Sequence, residues 1–200
     1  MRHPLTPQVE ARKAQVAELR GLVRDDPEAH LAQLAASLRG LAGLHRQGGE
    51  PSDAIAPAEE AVLHHRRLAQ QEPQRFTAGL AAALLELGSC LVAADERERA
   101  WPVLEESLAL LRPLLEAPQP PADLRAQAEP PGSWPSRLDL VDLMVELAEQ
   151  LAAAWKPSAA ALASGLAVEV MGALTAADPR LRPRLADVLE VHCRLLADDQ

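Results

Sequence analysis

Tyrosine and asparagine are absent from this chain of 200 residues, isoleucine and phenylalanine occur once each (Ile55 and Phe76), and aromatic residues make up 2%. A β-sheet is filled by β-branched and aromatic side chains, so this poverty argues against an all-β or parallel-sheet domain. Lysine is almost missing as well, with only Lys13 and Lys156, and the formal net charge is −9. A nucleic-acid or anionic-membrane surface needs a local excess of Lys and Arg to displace counterions, so neither is expected as a partner. The one basic run, Arg180, Arg182 and Arg184, lies between Asp178 and Asp187 and reads as a solvated helix start. Two isolated cysteines, Cys90 and Cys193, support neither a disulfide framework nor a zinc site and read as buried free thiols. The first residues lack the apolar core of a signal peptide. The best apolar run, Ala159 to Val168, is half alanine and stops at Glu169, so no membrane span is expected and the location read is cytoplasmic. Poverty in the residues with AT-rich codons predicts a GC-rich bacterial source.

What the chain has is alanine and leucine at fixed spacing. Apolar residues are 48% of the total, ordinary for one domain with a buried core, and the helix-forming bias predicts an all-α fold. A shift of 46 residues aligns the chain on itself without a gap. Pro27 falls on Pro73, Leu34-Ala35-Ala36 on Leu80-Ala81-Ala82, Leu38 on Leu84, Leu41 on Leu87, Ala54 on Ala100, Glu59-Glu60 on Glu105-Glu106, and Leu68 on Leu114. Arg20 and Leu22 repeat Arg66 and Leu68, so the chain opens on the second half of a unit. Near the other end, Leu185-Ala186 and Leu189 restate Leu34-Ala35 and Leu38, after a Pro179 in the role of Pro27.

Each unit divides into two helices. Leu34, Leu38, Leu41 and His45 recur at helical spacing, as do Leu80, Leu84, Leu87 and Leu91. Breaks follow at Gly48-Gly49-Glu50-Pro51-Ser52 and at Asp95-Glu96-Arg97. The next helices carry Ala54, Ala58 and Ala61, then Ala100, Leu104 and Ser107, whose small side chains let two backbones approach closely.

At these positions the chain resembles the tetratricopeptide-repeat (TPR) family. Leu38, Leu41, Ala42 and His45, then Ala54, Ala58 and Ala61, take the motif places in the first unit. Leu84, Leu87, Gly88 and Leu91, then Ala100, Leu104 and Ser107, take them in the second. The usual Trp and Tyr are replaced by aliphatics and a histidine, and a period of 46 in place of about 34 adds about three helical turns per unit. The resemblance implies antiparallel helix hairpins stacked as a short right-handed solenoid of about eight helices. It also implies a concave groove for a peptide or protein, lined here by Arg39, Gly43, Arg46 and Gln47, then Leu85, Ser89 and Val92.

Three parts are expected: TPR-like repeats over 1–116, a proline-rich linker over 117–135, and a three-helix extension over 136–200. Proline density breaks the helical pattern in the linker, where Trp134 reads as an anchor. Beyond it, Leu138, Val141, Val145, Ala148 and Leu151 line one helix, and Leu162, Leu166, Val170 and Leu174 line the next. A last helix, interspersing charges such as Asp187, Glu190 and Arg194 among its apolar residues, is expected to close the stack as a cap.

No catalytic or metal motif stands out. His64 and His65 are adjacent on a helix, point about 100° apart, and read as solvated. His192 and Cys193 diverge for the same reason. His45 is expected to pack with one nitrogen satisfied. There is no HExxH, GxSxG, P-loop or GxGxxG pattern. No catalytic residue, metal or cofactor is therefore assigned. The function expected is a non-catalytic scaffold that docks a protein or peptide. The alternatives are a regulatory sensor for a small molecule or signal peptide, and a self-association module that forms a homodimer through unpaired end helices.

Overall fold

A computed structural model describes residues 5–116 and 136–197. The proline-rich segment 117–135, with Trp134, lies outside the described residues. The described chain is all-α: α1 Thr6–Asp25, α2 Pro27–Gln47, α3 Pro51–Gln71, α4 Pro73–Ala93, α5 Arg97–Glu116, α6 Arg137–Ala153, α7 Pro157–Ala177, a 3-10 turn Pro179–Leu181, and α8 Arg182–Ala197. No strand occurs among the described residues.

Local chemistry sets the helix starts. Pro27, Pro51, Pro73 and Pro157 each open a helix, where a missing N–H costs nothing. Asp26 caps α2 by accepting from the Ala29 amide at 3.1 Å, and Ser136 with Asp139 forms a reciprocal capping box on α6.

The turns within hairpins share one geometry. After α2, the amides of Gly48, Gly49 and Glu50 donate to the carbonyls of Leu44, Arg46 and His45. After α4, Ala94, Asp95 and Glu96 donate to Cys90, Val92 and Leu91, and after α6, Ala154, Trp155 and Lys156 donate to Gln150, Ala152 and Leu151. This is a Schellman-type end in which the middle residue adopts positive φ: 74° at Gly49, 62° at Asp95 and 59° at Trp155. The α6–α7 hairpin is thus a third copy of the unit, displaced 60 residues from the second. At that shift Leu84, Leu87 and Leu91 become Met144, Leu147 and Leu151, and Ala100 becomes Ala160, all buried. The turns between units match one another too. Asp26, Glu72 and Asp178 each stand alone between helices and donate to a carbonyl four residues back.

Contacts divide the chain into two compact units, Met1–Val103 and Leu104–Gln200, with the division inside α5. In the first, α1, α2, α3 and α4 pack in sequence, and α2 also meets α4. One core joins Val9, Val16 and Leu19 of α1 to Leu34, Leu38 and Leu41 of α2 and Ala61 of α3. A second gathers Leu31, Ala35, Leu68 and Phe76. Ion pairs connect helices two apart in the chain: Arg20 with Glu60, Arg46 with Glu86, and Arg99 with Glu59. In the second unit α6, α7 and α8 pack in sequence and α6 meets α8, again with paired charges, Arg184 with Asp142 and Arg194 with Glu149.

Three expectations are corrected. On α7 the buried face is Ala160, Ala163, Ser164, Ala167, Met171 and Thr175, while Leu162 is exposed and Leu166, Val170 and Leu174 are half-buried. The small residues win because helix backbones meet there, as at Ala54, Ala58 and Ala61 of α3. The last helix is not a closed cap: α8 buries only Val188 and Leu195 and leaves Leu189 and Leu196 exposed. Finally, α4 and α7 are long and apolar enough to cross a membrane by length and composition, although Glu86 and Glu169 keep either from being one continuous apolar run. The apolar window of α4 is 72% buried, as in a core helix.

Candidate functional site

The first helices of two successive units, α2 and α4, lie together, and Arg46 fixes their contact. Its Nε donates to Glu86 Oε1 at 2.9 Å and its Nη2 to Oε2 at 3.4 Å. Gly43 lies beneath the same carboxylate, at ordinary van der Waals distance, 3.6 Å from where a Cβ would stand. One turn on, Cys90 donates to Glu86 at 3.6 Å. Burial, and then the negative charge of Glu86, push the Cys90 thiol up to about 12, so it is held as an inert thiol. Cys193 is exposed, contrary to the expectation that both cysteines are buried.

Of the groove positions named from the sequence, Arg39 and Gln47 are exposed, Arg46 and Val92 half-buried, and Gly43, Leu85 and Ser89 buried. The Ser89 hydroxyl is turned inward and donates to the Leu85 carbonyl at 2.9 Å. The open surface is therefore one side of α2, where Ala36, Arg39 and Gln47 share a face with Gly40. Arg12 of α1 reaches the same place, its Cζ 3.5 Å from where a Cβ on Gly40 would be. Spacing along α2 could not place Arg12 here, because the contact comes from a neighbouring helix.

Histidines occupy three different environments. His45 is buried at the end of α2 with Nδ1 2.9 Å from Glu50 Oε2. Asp53 joins them, and the candidate ligand atoms of the three lie within 4.8 Å of one another. Both carboxylates have a structural role there. Glu50 ties the hairpin turn to His45, and Asp53 sits in the first turn of α3, where the helix dipole favours an acid and opposes a cation. Beside Glu50 is a cavity of about 100 Å³ lined by Leu5, Val9, Glu10, Lys13 and Gly48 among others. Ligand pockets run to about 300–1,000 Å³, so it suits water or a small ion better than a metabolite.

His65 is buried, not solvated, and neither ring nitrogen has a hydrogen-bond partner. Its ring packs on Gly79, where any Cβ would come within 3.0 Å of Nδ1 and Cε1. Burial, followed by the charges of Arg39 and His64, lowers its pKa to about 4. The ring is neutral at neutral pH. In the second unit, His192 Nδ1 lies 2.8 Å from Ser164 Oγ, a contact between α7 and α8 that sequence spacing did not reveal. Ser164 is 1% exposed and His192 half-buried, and the pair makes a hydrogen bond between the two helices.

No family model matches the chain, and no curated protein matches it in sequence.

Proposed function

We propose that this chain is a non-catalytic, TPR-like helical-repeat module that docks a peptide or protein partner along the open side of α2. The observation that carries the reading is one hairpin built three times, with the same turn hydrogen bonds after α2, α4 and α6. Repeated hairpins of this kind serve to extend a surface. The polar groups that could suggest chemistry are consumed by packing: Ser89 bonds its own helix, Ser164 bonds His192, and Cys90 is held protonated. The α2 surface is small-residue floor with basic edges, Ala36 and Gly40 beside Arg12 and Arg39. It suits an extended or helical segment with an acidic head. A cytoplasmic location is part of the same proposal.

The test is affinity capture with quantitative mass spectrometry, using the wild-type chain, an Arg39→Glu/Gln47→Glu variant, and Leu63→Glu as a control. All three substitutions fall on exposed positions, so folding is preserved. The proposal expects one partner to be enriched by the wild type and the control and lost from the double variant. Equal enrichment by all three would refute docking on α2.

A further inference from the structure

The turn that closes the first hairpin brings together three side chains that can ligate a metal. His45 Nδ1 lies 2.9 Å from Glu50 Oε2, and Asp53 completes a set whose ligand atoms all fall within 4.8 Å of one another. The repeat itself shows that the turn does not need them. The places of His45, Glu50 and Asp53 are taken by Leu91, Glu96 and Arg99 in the second hairpin and by Leu151, Lys156 and Ala159 in the third. All three hairpins close with the same backbone hydrogen bond, the amides of Glu50, Glu96 and Lys156 donating to the carbonyls of His45, Leu91 and Leu151. Leu91 and Leu151 are 2% and 0% exposed, so leucine fills this core place well. His45 stands there at 5% exposed, with a ring nitrogen aimed at the carboxylates. An imidazole that replaces a core leucine and faces two acids in one hairpin alone is accounted for by a ligand, not by the turn.

The donor set selects the ion. One imidazole nitrogen and two carboxylate oxygens suit a borderline cation of the Zn2+ class better than Mg2+ or Ca2+, which take oxygen ligands. Bonds of about 2.0–2.2 Å place tetrahedral ligand atoms about 3.4 Å apart. That spacing falls between the 2.9 Å of His45 to Glu50 and the 4.8 Å that bounds the whole set. Glu50 and Asp53 are exposed, so their carboxylates can turn to close on an ion while burial holds the His45 ring. We propose that His45 Nδ1, Glu50 and Asp53 form a Zn2+-class site that staples the end of α2 to the start of α3. The ion takes the place of the proton between Nδ1 and Glu50, and the ring proton is then carried on Nε2. Two carboxylate charges outweigh the partial positive charge at the start of α3, and the end of α2 brings the opposite pole to the same turn. The cavity of about 100 Å³ beside Glu50 leaves room for water at an open coordination position. The site is independent of partner docking along α2.

Isothermal titration calorimetry with zinc chloride, on the full chain in a buffer that does not bind zinc, tests it. The wild type is expected to bind one Zn2+ in the micromolar range. His45→Leu installs the residue of the other two hairpins and so preserves the fold. It is expected to weaken the binding at least about tenfold, and Asp53→Asn to do the same. Cys193→Ser, which removes the exposed thiol, should leave the binding unchanged. Magnesium chloride should give no saturable binding in the same range, and zinc should raise the melting temperature of the wild type but not of His45→Leu. Absence of saturable zinc binding, equal affinity in the wild type and both ligand variants, loss of binding in Cys193→Ser, equal binding of Mg2+, or a wild-type melting temperature unmoved by zinc would each overturn the site.

Discussion

Replacing His65 by leucine should stabilise the protein and flatten its response to acid. The ring is 7% exposed with both nitrogens unpartnered. At the equivalent place the second unit has Leu111 and the third Met171, both fully buried. An unsatisfied buried polar group costs about 1–3 kcal/mol, so His65→Leu is expected to gain that order of stability near neutral pH. The acid response has a definite sign. The folded pKa, about 4, lies below the ordinary histidine value of 6.5. Above 6.5 both folded and unfolded rings are neutral and His65 adds no pH dependence. Between 6.5 and 4 the unfolded chain takes up the proton first, so stability falls with falling pH by about 1.4 kcal/mol per unit, to about 3 kcal/mol in all. Urea unfolding at about pH 7.5, 6 and 5 measures this; by about pH 5 the wild type should have lost roughly 2 kcal/mol more than His65→Leu. The comparison cancels the carboxylates common to both proteins. Parallel pH curves for wild type and variant would refute the reasoning, whatever the offset between them.

Other consequences follow from the packing. Ala61 is fully buried where Ser107 and Ala167 stand in the other units. Ala61→Leu should overpack the α2–α3 contact and cost about 1–3 kcal/mol in urea unfolding; a neutral result would contradict close backbone approach. Trp155 holds φ at 59° where the first unit has Gly49. Trp155→Gly should raise stability by up to about 1 kcal/mol, and a fall in melting temperature would show that the indole contributes more than the backbone strain costs. With a thiol reagent the native chain should titrate one cysteine, Cys193, and the second only on unfolding, because Cys90 is buried and held protonated. Two fast thiols would mean that the α2–α4 contact opens.

Much of the architecture was legible in the sequence because it is periodic. The match of Leu34-Ala35-Ala36 to Leu80-Ala81-Ala82 located two hairpins and their turns, and Gly48-Gly49 marked the first of those turns. The third hairpin was blurred by the extra residues ahead of α6, which move the shift from 46 to 60. The buried face of α7 was misread for a physical reason. Leucines are the usual sign of a core face, yet here helices meet through alanines, so Ala160, Ala163 and Ala167 lie inside and Leu162 outside. The surface was harder to read than the core. Spacing placed Arg39 and Gln47 on the outer side of α2, but could not show that Ser89 turns inward to its own backbone or that Arg12 arrives from α1. Nor could two adjacent histidines reveal that His64 lies near Glu60 while His65 is buried without a partner.

The hairpins that open with α2 and α4 stack so that these two first helices lie side by side, and the Arg46–Glu86 pair probes that contact. The pair is largely buried, with side chains 25% and 14% exposed, so reversing one charge should be costly and reversing both should restore the contact. Arg46→Glu and Glu86→Arg are each expected to lower the urea midpoint, and the double reversal to recover about 1 kcal/mol or more beyond additivity. Strict additivity of the two single changes would contradict the stacking of α4 on α2.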